Sequence, residues 1–193
     1  MTNIHLKPDS KINCNLLSRH IEVLLHISEM PLTKNDLKKR LLGQYLVDVN
    51  DITTALLLLE ERLSGGVLEL SQTASGYRLQ IKAEYAPLIQ QIFPERPETL
   101  SQAVLETLSI IAYKQPVTRL DIEQIRGVSV SSHILRQLFD KGWIVEKGCK
   151  DTLGRPALLH TTDEFLDAFG LCSLAELPPM PDINALSINT NPS

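Results

Sequence analysis

The chain has 193 residues, room for one large domain or two small ones, and its 43% hydrophobic and 22% charged residues are ordinary globular values. Three widely spaced cysteines (Cys14, Cys149 and Cys172) with no CxxC argue against a disulfide scaffold or a zinc site and fit a reducing cytoplasm. The net charge of −4, with no apolar run resembling a signal peptide or a membrane span, excludes a secreted, a membrane-spanning or a strongly basic nucleic-acid-condensing protein as the expected class.

Residues 1–15 are polar and aperiodic and are expected to be a flexible arm. From Leu16 to Ser28, apolar residues at Leu17, Ile21, Leu24, Leu25 and Ile27 have helical spacing, and Pro31 stops the run. Thr33 is suited to cap a second helix, Lys34 to Leu42, with Asp36 answering the free amides of its first turn. After a GQYLVDV loop, Asn50 or Asp51 is expected to cap a third helix, with Ile52, Ala55, Leu56, Leu59 and Leu63 as its inner stripe. Leu57 and Leu58 add apolar surface that one small domain does not need, which suggests a second packing partner. The alternating runs VLELS and YRLQI flank QTASG, a turn of hairpin length, and Glu84 to Phe93 reads as a short closing helix.

Residues 94–100 form a short, proline-bearing linker, and the pattern then restarts. Pro31, Thr33, Asp36 and Leu37 recur as Pro116, Thr118, Asp121 and Ile122, all at an offset of 85. In this second copy Ser101 caps the first helix, whose inner face is Leu105, Leu108, Ile111 and Ala112. Ile122 and Ile125 do the same for the second helix, which Gly127 ends, and Ser129 or Ser131 caps the third. Trp143 to Lys147 and Ala157 to Thr161 read as wing strands, and Thr161 with Glu164 as a capping box opening a last helix, Asp163 to Phe169. The tail, 171–193, is expected to be largely disordered. The fold expected is mainly helical with small β-hairpins (α+β): two tandem winged-helix domains at 16–93 and 101–170.

Charge does not favour DNA readout. Residues 1–93 carry ten Lys/Arg and ten Asp/Glu, and residues 100–165 carry eight of each. The third helix of the first copy sets Asp51, Glu60 and Glu61 against Arg62, so it would repel a phosphate backbone. In the second copy Arg136, Lys147 and Lys150 could make at most a weak phosphate contact.

Gly154-Arg155-Pro156 fixes a sharp turn between the wing strands. Arg155 could grip a partner carboxylate, or it could brace the domain through Asp151 or Glu164. Trp143 reads more simply as core than as contact, and so do Phe165, Phe169 and Leu171 on the amphipathic segment after the second wing strand. Cys149 lies between Lys147 and Lys150, which would favour its thiolate, yet no base accompanies it. No HExxH, nucleophile elbow, phosphate-binding glycine loop or dinucleotide fingerprint occurs in the sequence, so neither catalysis nor a cofactor is expected.

The runs IAYKQPVTR, IRGV, GRP and TTDEFLDAFGLCSL, in this order, closely resemble the segregation and condensation protein B family, and the resemblance extends over about 16–180. Cys149, His160 and the GQYLVDV loop depart from the family pattern. The resemblance implies a non-enzymatic, cytoplasmic, nucleoid-associated homodimer that binds a kleisin (segregation and condensation protein A) and, through it, a structural-maintenance-of-chromosomes ATPase. It implies dimerisation through 16–93, where Leu56, Leu57, Leu58 and Leu59 are the candidate interface. It further implies kleisin binding through 101–170, with Trp143, Arg155, Phe165, Phe169 and, just past its end, Leu171 as candidates. A DNA-binding winged-helix regulator is the competing expectation.

Overall fold

Side-chain caps set where the helices begin. In the computed structural model, which describes residues 12–41, 45–93 and 100–179, Asn13 accepts from the Asn15 N–H at 2.8 Å and opens α1 (Cys14–Ile27). At the start of α2 (Lys34–Leu41), the Thr33 hydroxyl accepts from the Asp36 N–H at 3.1 Å, and the Thr33 N–H donates to Asp36 Oδ2 at 3.2 Å. α3 (Val49–Leu63) corrects the expected cap. Asp48 is the N-cap, and Asp51, one turn in, is its reciprocal partner, at 2.8 and 3.0 Å. β1 (Leu68–Thr73) and β2 (Gly76–Ile81) pair antiparallel, setting Leu68 opposite Ile81 and Leu70 opposite Leu79, so these residues share a face as expected.

A further strand element comes from before α2. Leu32 exchanges backbone hydrogen bonds with Tyr77, both at 2.9 Å, which sews the α1–α2 connection to the hairpin. Only glycine fits beside it: Gly76 has φ +137°, and a Cβ there would lie 2.4 Å from the Leu32 carbonyl carbon. The core of this first unit, which ends at Thr99, is aliphatic: Leu17, Ile21, Leu37, Ile52, Ala55 and Leu59 have no exposed surface. Arg62 ties α3 to α1, donating to the buried Ser18 hydroxyl at 3.0 Å and to Glu22 at 2.6 Å.

The second unit begins at Leu100 and repeats the order. Ser101 caps α5 (Gln102–Lys114), Thr118 and Asp121 form the capping box of α6 (Arg119–Arg126), and Ser131 caps α7 (Ser132–Asp140). α4 (Ala86–Ile92) had closed the first unit after a short 3₁₀ turn over Ala83–Tyr85. β3 (Ile144–Cys149) and β4 (Ala157–Thr161) form the second hairpin, and Val117 bridges to Leu159 as Leu32 does to Tyr77. The repeat at offset 85 is therefore structural: Leu32 and Val117, like the two Thr–Asp boxes, occupy matching places. α8 (Asp163–Ala168) is capped by Thr162, not Thr161. Thr161 is engaged in β4, where its N–H donates to Gln115 Oε1 at 2.9 Å, while the Thr162 hydroxyl donates to the Gly142 carbonyl at 2.5 Å. Both units thus run helix, helix, helix, hairpin, a mixed α/β architecture.

Three expected inner-face positions are corrected: Ile27, Leu105 and Ile125 are exposed. α5 instead turns Val104, Thr107, Leu108 and Ile111 inward, Ile122 alone is buried on α6, and Ile27 lies at the last residue of α1. Within the tail, residues 171–179 take up defined structure. Leu171 N–H donates to the Leu166 carbonyl at 2.8 Å, Leu174–Glu176 form a 3₁₀ turn, and the Tyr113 hydroxyl donates to the Pro178 carbonyl at 2.6 Å. Residues 171–179 thus fold against α5. The expectations for 180–193, for most of the N-terminal arm and for 94–99 lie outside the described residues.

Candidate functional site

Burial separates the candidate dimer residues. Leu56 and Leu59 are 4% and 0% exposed, part of the first unit's own core, so they are corrected as surface contacts. Helical spacing alone accounts for this, because both belong to the stripe that α3 turns inward. Leu57 is 62% exposed and Leu58 half-buried, which leaves these two on the outer side of α3.

α4 is the feature that sequence reasoning missed in this unit. Read as a closing helix, it should be packed, yet none of its residues is buried. Leu88, Ile89 and Ile92 are exposed, and Phe93, just past its end, is 68% exposed. Residues 86–93, APLIQQIF, carry no charge, and that was the available signal. Exposed apolar surface without charge is what a protein-docking patch offers.

In the second unit the aromatic candidates form one cluster. Phe165 is only 3% exposed and belongs to the core, a correction to its assignment as a contact. Phe169 packs on it with ring centroids 4.9 Å apart and meets Trp143 edge-on at 5.4 Å. The Lys141 ammonium lies 5.5 Å from the Trp143 ring centroid. Trp143 is half-buried and Phe169 exposed against the buried Phe165, so the cluster has a core side and a surface side; Leu171, two residues past Phe169, is half-buried.

The β3–β4 hairpin, which stands where the second wing was expected and is called the wing below, is fastened at its tip. Lys150 Nζ lies 2.8 Å from Asp121 Oδ1, linking the wing to the first turn of α6. Asp121 also accepts from the Thr118 N–H and hydroxyl. With the Lys150 ammonium as the leading cause, and Thr118 next, the Asp121 carboxyl is held down at about 2, below its ordinary 3.8. Lys150 is therefore engaged with a carboxylate, which corrects it as a free phosphate contact. Arg136 is highly exposed, 3.9 Å from Asp140, and Lys147 is exposed on β3. Arg155 takes up neither expected brace. It sits at φ +41°, is exposed, and its Nη2 donates to Cys149 Sγ at 3.3 Å.

Between α6, α7 and the wing runs an open groove of about 420 Å³. Leu120, Leu135, Ala157 and Leu159 supply its apolar lining, and Arg119, Glu123 and Glu146 its charges. Arg119 is occupied. It pairs with Glu123 at 3.1 Å and also donates to the Val130 carbonyl and, at 3.4 Å, to Ser132. The Glu123 carboxyl, held below its ordinary range first by the Val130 N–H and then by Arg119, is likewise satisfied. No group of three or more metal-ligating side chains occurs among the described residues. No helix among them is long and apolar enough to cross a membrane.

The family model described as "Segregation and condensation complex subunit ScpB" matches residues 19–180. "Segregation and condensation protein B homolog" of Coxiella burnetii is 40% identical, over 84% of this chain and 78% of that protein. "Segregation and condensation protein B" of Bacillus subtilis is also 40% identical, over 75% of this chain and 74% of that protein. The solved ScpB structure from Mycobacterium tuberculosis is 31% identical, covering 84% of this chain and 99% of that one, with a TM-score of 0.39.

Proposed function

The chain belongs to the ScpB family of segregation and condensation complex subunits, and from that premise we propose that it is a non-catalytic accessory subunit of a bacterial SMC–kleisin condensin complex. Two copies associate through the first unit and hold one kleisin through the second. The kleisin connects them to the ATPase, which performs the turnover, and the assembly acts on the nucleoid during chromosome condensation and segregation. The observation that carries this reading is the family match, which runs through both units from 19 to 180.

The surfaces support it. Leu57 and the uncharged α4 are suited to self-association. In the second unit the exposed side of the Trp143–Phe169 pair, the half-buried Leu171 and the exposed Arg155 are suited to a protein partner. A DNA-binding regulator gains little support, because α3 carries more acid than base.

Co-expression with the kleisin, followed by size-exclusion chromatography with mass measurement, tests the assignment. A dimer that retains the kleisin is expected. A monomer at micromolar concentration, or no retention, would overturn it. Arg155→Glu is expected to weaken kleisin binding about tenfold while leaving the dimer mass unchanged. Unchanged affinity with an intact fold would remove Arg155 from the contact.

A further inference from the structure

We propose that the groove between α6, α7 and the wing is a docking site for an apolar segment of the kleisin that carries a basic side chain opposite Glu146. This rests on the kleisin reading above and names the surface and the chemistry it selects. The groove lies where the three elements of the second unit meet, lined by Leu120, Leu135, Ala157 and Leu159. Leu120, between Arg119 and Asp121 in the first turn of α6, is 59% exposed. An exposed leucine at the mouth of an apolar groove is an anchor point that the fold itself does not use.

Charge selects the occupant. Arg119 and Glu123 satisfy each other and the Val130 loop, so they present no net charge. Glu146 is paired with Leu159 through the β3–β4 ladder, and its exposed side chain makes no hydrogen bond or ion pair with the described residues. The groove therefore presents one uncompensated negative charge beside apolar surface. A phosphate backbone would be repelled there, whereas a peptide with a Lys or Arg next to its apolar anchors gains an ion pair at the rim of a buried contact. The groove is open rather than enclosed, which admits a chain running through it.

Two variants separate the alternatives in the full-length protein. Leu120→Asp puts a charge at the anchor, and Glu146→Lys reverses the rim charge; both side chains are exposed, so the fold tolerates them. Binding of purified kleisin by titration calorimetry is expected to weaken about tenfold for each, with melting temperature and dimer mass unchanged. The wild-type affinity should also fall as salt rises, and Glu146→Lys should lose that dependence. Wild-type binding that both variants reproduce would overturn the groove as the site and leave the functional reading standing. No kleisin binding by the wild type would overturn both. A change in dimer mass without a change in kleisin affinity would assign the groove to a second copy of the chain and also overturn the proposal.

Discussion

Asp121 holds two parts of the second unit with a single carboxylate. One oxygen closes the capping box with Thr118, and the other meets the Lys150 ammonium from the wing. The folded state favours the charged form, with a pKa of about 2 against 3.8. The stabilisation is therefore complete above pH 4 and is lost as pH falls from about 4 towards 2. Asp121→Asn is expected to cost about 1 kcal/mol at neutral pH, after allowance for solvent screening. Urea melts at pH 7 and at pH 2 should show the gap between variant and wild type closing in acid; a gap independent of pH would mean the carboxylate charge is not what stabilises. The box itself was legible in the sequence, because Thr-x-x-Asp after a proline is a local signal that recurs at offset 85. The lysine was not. Its partner lies 29 residues away, and only the fold brings them together. The same holds for Arg155, whose positive φ and Cys149 contact are consequences of the turn.

α4 is a seven-residue helix with no buried residue, shorter than a helix that would persist in water on its own. Its apolar side chains gain stability only against something else. Ile92→Asp combined with Phe93→Asp is accordingly expected to leave the fold of the first unit intact, with a melting temperature within a few degrees of wild type. The same variant should shift the sedimenting species from dimer to monomer. A dimer that survives would place self-association on α3 or elsewhere in the unit. Most helix and strand positions were readable from apolar spacing, including the shared face of Leu68, Leu70, Leu79 and Ile81. Spacing failed at helix ends, where Ile27 and Ile125 continue the pattern past the edge of what they pack on. For Leu56, Leu59 and Phe165 spacing held, since the first two fall on the inner stripe and all three are buried; what burial overturns is their candidacy as contacts, because a residue that fills its own unit's core has no surface left for a partner.

At the scale of the whole chain, basic and acidic groups balance within residues 1–93 and within 100–165, and the net charge of −4 resides in the remainder. A phosphate backbone is bound through released counterions, and a balanced surface releases few. The protein alone is expected to bind duplex DNA no more tightly than about 10⁻⁴ M at physiological salt, as read by fluorescence anisotropy. Tight binding with a steep salt dependence would instead support a DNA-reading regulator.

The wing tip is closed by its own bonds: Lys150 N–H to the Pro156 carbonyl, Arg155 N–H to the Thr152 carbonyl, and the Lys150–Asp121 pair. A wing that hung loose would have to surrender conformational entropy when a partner arrived. Here that ordering is completed during folding, so a partner meets a surface already in its bound shape and little of the contact energy is diverted to arranging it. Cutting the Lys150 tether would return that cost to the binding step, and it would register as slower or weaker association with no contact to the partner removed.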